Sequence, residues 1–144
     1  MGRLRVAVAG GGIAGLASAL ALRQRGLAAT VYERAPALRE VGAGVALWPN
    51  ATRALARLGV LDEVAARSGR AEAVRILNPA GETLLRFSTA RSDAPSLCVR
   101  RRDLVGVLAE ALGPDAIRYG STVSEAGSRP GRVRFRPKDG AVTG

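Results

Sequence analysis

Residues 6–15 read Val6-Ala7-Val8-Ala9-Gly10-Gly11-Gly12-Ile13-Ala14-Gly15, and this stretch decides the fold. The short apolar run predicts a strand, and Gly10, Gly12 and Gly15 follow it at G-x-G-x-x-G spacing. Beyond the glycines, Ile13, Leu16, Ala17, Leu20 and Ala21 recur at i, i+3, i+4, i+7 and i+8, which predicts an amphipathic helix. Gly26 supplies its stop. Ala29-Thr30-Val31-Tyr32 reads as a second strand, closed by Glu33. Strand, glycine bend, helix, strand and acid in that order make one βαβ unit of the dinucleotide-binding type.

Each part has a physical task. Gly10 allows a tight turn out of the strand. Gly12 carries no Cβ, so a pyrophosphate can approach the backbone, and Gly15 lets the helix lie close to the strand. The start of the helix offers unpaired N–H groups and partial positive charge to a phosphate. Glu33 lies eighteen residues beyond Gly15, where a carboxylate accepts hydrogen bonds from a ribose diol and repels a phosphate on that ribose. The residues therefore point to FAD or NAD rather than NADP. The plainer reading is that the glycines only allow close packing and Glu33 is a solvated surface acid. A membrane span is rejected: Val6 to Leu22 is uncharged but only 17 residues long and interrupted by glycine, whereas a span needs about 20 strongly apolar residues.

Composition narrows the alternatives. Hydrophobic residues at 47% suffice for a core, but aromatics at 3% leave its packing to Leu, Val, Ile and Ala. The net charge is +10, and 21 of the 22 basic residues are arginine, so nucleic acid has to be considered. The arginines are dispersed, with Arg100-Arg101-Arg102 the one triple, and no aromatics interleave with them to stack bases. No nucleic-acid partner is expected; a solvated basic surface is. Histidine is absent, which removes His-based triads and His metal sites. The single cysteine, Cys98, excludes an internal disulfide and fits a reducing, cytoplasmic setting. Its neighbours Leu97 and Val99 suggest a core position. The first strand begins so close to Met1 that no signal peptide is expected.

Along the chain, Arg34 to Val41 is a polar connection and Gly42 to Leu47 a stretch of small residues. Pro49-Asn50 opens a helix whose face carries Ala51, Ala54, Leu55 and Leu58, ended by Gly59, and Asp62-Glu63 opens a short third helix. Val74–Leu77 and Thr83–Phe87 read as strands joined by the turn Asn78-Pro79-Ala80-Gly81, and Arg91 to Pro95 as a loop. Leu104, Val107, Leu108, Ala111 and Leu112 form another helical stripe, stopped at Gly113-Pro114. Ile117–Tyr119 is a short strand, while Thr122–Ala126 and Arg132–Arg136 form an antiparallel pair around the loop Gly127–Gly131. The expected fold is α/β: a Rossmann-like parallel sheet led by the βαβ unit, with an antiparallel β excursion, and incomplete.

FAD and NAD share the fingerprint, so other segments must separate them. Three stretches resemble the single-component FAD-dependent monooxygenases, the para-hydroxybenzoate and salicylate hydroxylase group. They are the N-terminal unit ending in Tyr32-Glu33-Arg34, Val41-Gly42-Ala43-Gly44-Val45 running into Pro49-Asn50-Ala51, and Arg101-Arg102-Asp103-Leu104 at the head of a helix. Order and spacing agree along the whole chain. The resemblance implies that Gly10, Gly12, Ile13, Ala14 and Gly15 form the pyrophosphate turn, that Glu33 holds the adenosine ribose, and that Arg34 flanks the adenine. It implies that Ala43, Gly44, Val45 and Ala46 lie along the flavin, that Arg101 reaches the pyrophosphate or ribityl chain, and that Val123 touches adenine through its backbone. Charge supports Arg101 independently, because a guanidinium makes charge-assisted, bidentate contacts with a diphosphate. Its plainer reading is an exposed member of a basic run; that of Gly42 and Gly44 is an ordinary loop.

The resemblance further implies NAD(P)H as reductant and a small aromatic compound as substrate in the complete enzyme. No catalytic acid, base or nucleophile, and no metal, is assigned to this chain. The family's later Asp-Gly and Gly-Asp fingerprints and its substrate domain are not recognised; Lys138-Asp139-Gly140 belongs to a hairpin turn. Residues 1–144 are therefore expected to be the N-terminal portion of one FAD-binding domain, through a truncated frame, an excised piece or reliance on a partner. The alternatives are a non-catalytic NAD or FAD module, or an inactive fragment. The long, partly antiparallel insert after Arg34 argues against an NAD dehydrogenase. Oligomeric state is not readable.

Overall fold

The computed structural model describes residues 4–38, 43–90, 92–129 and 132–137. Gly42 and Lys138-Asp139-Gly140, singled out above, lie outside the described residues. The chain divides into two compact units, residues 1–40 with 105–144, and residues 41–104.

The first unit is built on the predicted βαβ element. Strand β1 (Arg5–Ala9) pairs in parallel with β2 (Ala28–Tyr32), and helix α1 (Ile13–Gln24) connects them. Leu16, Ala19 and Leu20 are buried on α1, and Ala29 and Val31 on β2. Ala21, expected on that stripe, is exposed, because the helix turns Ala19 inward instead. Gly26 takes φ +79° and, with Leu27, donates back to the last carbonyls of the helix, as the stop signal requires.

A third parallel strand, β8 (Ile117–Arg118), pairs with β2 and gives the sheet order β1-β2-β8. All three strands therefore end at the same edge of the sheet. Strands β9 (Val123–Arg129) and β10 (Arg132–Pro137) form the expected antiparallel pair. The ladder runs further than the composition indicated: Gly127, Ser128 and Arg129 belong to β9 rather than to a hairpin loop. Backbone pairing overrides their turn propensity.

In the second unit, β3 (Gly44–Leu47), β4 (Ser68–Arg70) and β7 (Leu97–Arg100) form an antiparallel sheet in the order β3-β7-β4. Helices α2 (Pro49–Arg57) and α3 (Leu61–Ala66) lie between β3 and β4 in sequence. The hairpin β5 (Ala73–Leu77) and β6 (Thr83–Ser88) turns at Asn78, whose side chain accepts from Glu82 N–H at 2.9 Å. On α2 the inward residues are Thr52 and Leu55, whereas Ala54 is exposed. Thr52 tolerates full burial because its hydroxyl donates to the Pro95 carbonyl at 2.8 Å.

Cys98 corrects the sequence reading. It is exposed, while Leu97 and Val99 are buried. The segment is a strand with one covered face, so alternate side chains point opposite ways. Helix α4 (Arg101–Leu112) starts at Arg101, one turn before its apolar stripe, and Val107, Leu108 and Leu112 are buried. Among the described residues no helix is long and apolar enough to cross a membrane.

Candidate functional site

The glycine bend is held from three directions. Gly10 has φ +99°, a conformation that favours glycine, and its N–H donates to the Tyr32 carbonyl at 2.8 Å. Gly15 packs against the bend itself. A Cβ on Gly15 would lie 1.9 Å from the Gly10 oxygen and 3.5 Å from Val8 Cγ1, so only glycine fits. Gly12 caps α1 without a side-chain hydrogen bond, and the first turn carries no acid. The helix therefore presents its terminal amides and dipole, around Ile13 and Ala14, with no compensating anion of its own.

Glu33 points into the bend. Its Oε2 accepts from Gly11 N–H at 2.6 Å, and its Oε1 accepts from Ala35 N–H at 2.8 Å. These two amides fix the carboxylate at the mouth of the bend, where a ribose diol would be offered an acceptor. Sequence reasoning passed over Gly11, which is buried, with its missing Cβ within 3.0 Å of Glu33 Cβ and 3.1 Å of Glu33 Oε2. The available signal was the middle glycine of the Gly10-Gly11-Gly12 run, which the spacing rule does not require.

The loop after β8 locks the same corner. Glu33 N–H donates to the Arg118 carbonyl, Ser121 N–H to the Glu33 carbonyl and Gly120 N–H to the Ala35 carbonyl, each at 2.9 Å. Tyr119 lies in this loop, and its phenol is held above its ordinary ionisation range by burial and then by the Glu33 charge. Arg34 is exposed next to Glu33 in sequence, and Val123 begins β9 two residues past Ser121. The bend, Glu33, Arg34 and Val123 thus belong to the first unit.

Ala43, Gly44, Val45, Ala46 and Arg101 belong to the second. Arg101 N–H donates to the Ala43 carbonyl at 3.2 Å, which fixes the head of α4 to the start of β3. Arg100 Nε lies 2.7 Å from Asp103 Oδ2, and Arg102 Nε lies 3.6 Å from Asp103 Oδ1. Among the described residues, the Arg101 guanidinium makes no ion pair or hydrogen bond. In register, Gly44 faces Arg100, and Ala46 faces Cys98, which faces Gly69. Gly44, Ala46, Cys98 and Gly69 make this exposed face one of small side chains, bordered by Arg100 and opposite the face of Leu47, Leu97 and Val99. Such a surface can take a flat ring system. Among the described residues no cluster could hold a metal ion.

The FAD binding domain family matches residues 3–121. The chain belongs to that family. FAD, rather than NAD, is therefore the dinucleotide of this domain. A 3-amino-4-hydroxybenzoate 2-monooxygenase of Streptomyces platensis is 39% identical over 144 residues, covering 96% of this chain and 36% of the relative. Aurachin C monooxygenase/isomerase of Stigmatella aurantiaca is 38% identical over 141 residues, covering 95% and 37%. Among solved structures, Klebsiella pneumoniae HpxO complexed with FAD and uric acid has a TM-score of 0.82 at 28% identity, over 97% of this chain and 36% of its own. The tetrameric form of 2-methyl-3-hydroxypyridine-5-carboxylic acid oxygenase has a TM-score of 0.83 at 31% identity, over 99% and 38%. This chain thus spans little more than a third of the length of the relatives it matches. They bear out the expected monooxygenase kinship of the FAD-binding domain.

Proposed function

We propose that this chain is the FAD-binding portion of an NAD(P)H-dependent flavin monooxygenase that hydroxylates a small aromatic compound. The observation that carries the proposal is the Glu33 carboxylate, seated 2.6 Å from Gly11 N–H in a bend that tolerates no side chain at Gly15. The names of the relatives, hydroxybenzoate and aurachin monooxygenases, support the reaction class.

The residues fit the cofactor. Gly10, Gly12, Ile13, Ala14 and Gly15 would seat the pyrophosphate on the uncapped start of α1. Glu33 would hold the ribose, with Arg34 and the Val123 backbone at the adenine end. Gly44 and Ala46 on the exposed face of β3, with the adjoining backbone of Ala43 and Val45, would line the flavin, and the charge of Arg101 would meet the pyrophosphate or ribityl chain. When bound, FAD supplies electron transfer from NAD(P)H and the activation of oxygen. The residues described here orient and shield it, and none acts as acid, base or nucleophile. We read residues 1–144 as the N-terminal portion of a single FAD-binding domain, in a cytoplasmic protein that does not bind nucleic acid.

Denaturing the purified protein should release a yellow, fluorescent dinucleotide that co-elutes with FAD. Release of NAD, or of no cofactor even after reconstitution with FAD, would overturn the binding role. Substrate-dependent NAD(P)H oxidation by the full-length protein tests the reaction class, with turnover across a panel of hydroxylated benzoates and related heterocycles expected.

A further inference from the structure

Three parallel strands end at one edge of the first unit's sheet, and the loops that follow them share that edge. Ligands of open α/β sheets bind at such carboxyl ends. The reading above uses the first loop through Gly10–Gly15 and the second through Glu33 and Arg34. It leaves the third, Tyr119–Ser121, without a role beyond the backbone hydrogen bonds described.

Tyr119 is unusual at this edge. Aromatic residues make up 3% of the chain, yet one of them follows directly on β8 and keeps 36% of its surface exposed. Its backbone is fixed: the Ser121 hydroxyl donates to the Tyr119 carbonyl at 3.3 Å, and Gly120 and Ser121 are tied to Ala35 and Glu33. Burial, and then the Glu33 charge, hold its phenol above the ordinary ionisation range. A partly exposed ring on a loop whose backbone is tied to Glu33 and Ala35 is a surface on which a planar base can stack.

We propose that Tyr119 is a binding residue for the base of the dinucleotide, its ring forming one wall of the adenine position. This rests on the reading of Glu33 as the ribose acid and adds a contact that neither the glycine fingerprint nor the acid provides. The ring carries the interaction, so the hydroxyl is dispensable.

The test measures the Kd for FAD, by flavin fluorescence quenching, for the wild type, Tyr119→Phe, Tyr119→Leu and Glu33→Gln. Apoprotein melting midpoints are recorded alongside. Tyr119→Leu should weaken binding at least about fivefold, the lower range for loss of one base–aromatic stack, with the melting midpoint unchanged. Tyr119→Phe should stay within about twofold, because it keeps the stacking face. Wild-type affinity in Tyr119→Leu would overturn the proposal. So would equal losses in the Leu and Phe variants, or a loss accompanied by a lower apoprotein melting midpoint. Unchanged affinity in Glu33→Gln would remove the ribose reading instead and leave the Tyr119 comparison to stand on its own result.

Discussion

Replacing Gly15 by alanine tests whether the bend is built as described. The added Cβ would lie 1.9 Å from the Gly10 oxygen and 3.1 Å from the Gly10 carbonyl carbon. An ordinary contact starts near 3.4 Å, so helix and bend would have to separate by more than 1 Å. The colliding atoms are backbone, which cannot rotate away. Overpacking of this kind costs about 1–3 kcal/mol, and a backbone clash belongs at the upper end. Alanine in a helix recovers about 1 kcal/mol of propensity over glycine. The net expectation is a loss of about 2 kcal/mol, read as a lower urea midpoint at unchanged slope. FAD affinity should fall as well, since the shift displaces the amides at the start of α1. Gly106 supplies the control. It lies within α4, and a Cβ there would meet nothing within 4 Å. Gly106→Ala should therefore gain about 0.5–1 kcal/mol and leave FAD affinity unaltered. If Gly15→Ala matched the wild type in both midpoint and affinity, the close approach of α1 to the bend would be refuted.

Other expectations follow from the same geometry. Arg101→Ala should weaken FAD binding about tenfold, the scale of one charge-assisted hydrogen bond, while the apoprotein melting midpoint stays put; equal affinities would return Arg101 to the solvated surface. Cys98, exposed on β7, should react with a maleimide in the native protein at a rate near that of a small thiol, and bound FAD should slow the reaction; burial-like protection in the apoprotein would contradict its outward placement. Alkaline pH should act through Tyr119. Its folded ionisation lies above the ordinary value of 10.0, so the folded state keeps a proton that the unfolded state releases. Stability should therefore fall as pH rises through and beyond 10.0. Alkaline melting curves should show a smaller fall for Tyr119→Phe, and identical curves would count against the phenol's placement.

How much of this was legible in the chain depends on how local each signal was. The βαβ unit was readable because its determinants are consecutive: an apolar run, glycines at fixed spacing, a helical stripe and a terminal acid within the first thirty-three residues. Gly10 at positive φ, Gly15 against the bend and Glu33 turned into it all answer to that pattern. The sheet of the second unit was not readable. Its strands come from Gly44–Leu47, Ser68–Arg70 and Leu97–Arg100, too short for alternation to register and paired across two helices and a hairpin. Cys98 was misjudged for the same reason: one covered face makes an apolar neighbourhood in sequence into an alternation in space. The contribution of Gly11 and Tyr119 lay deeper still, because each depends on a residue far away in sequence, Glu33, whose position only the paired strands define. A motif fixes where a diphosphate can sit. The walls around the base come from loops that meet only once three parallel strands have aligned their ends, and so the third loop is where this site has most room to differ from other glycine-bend proteins.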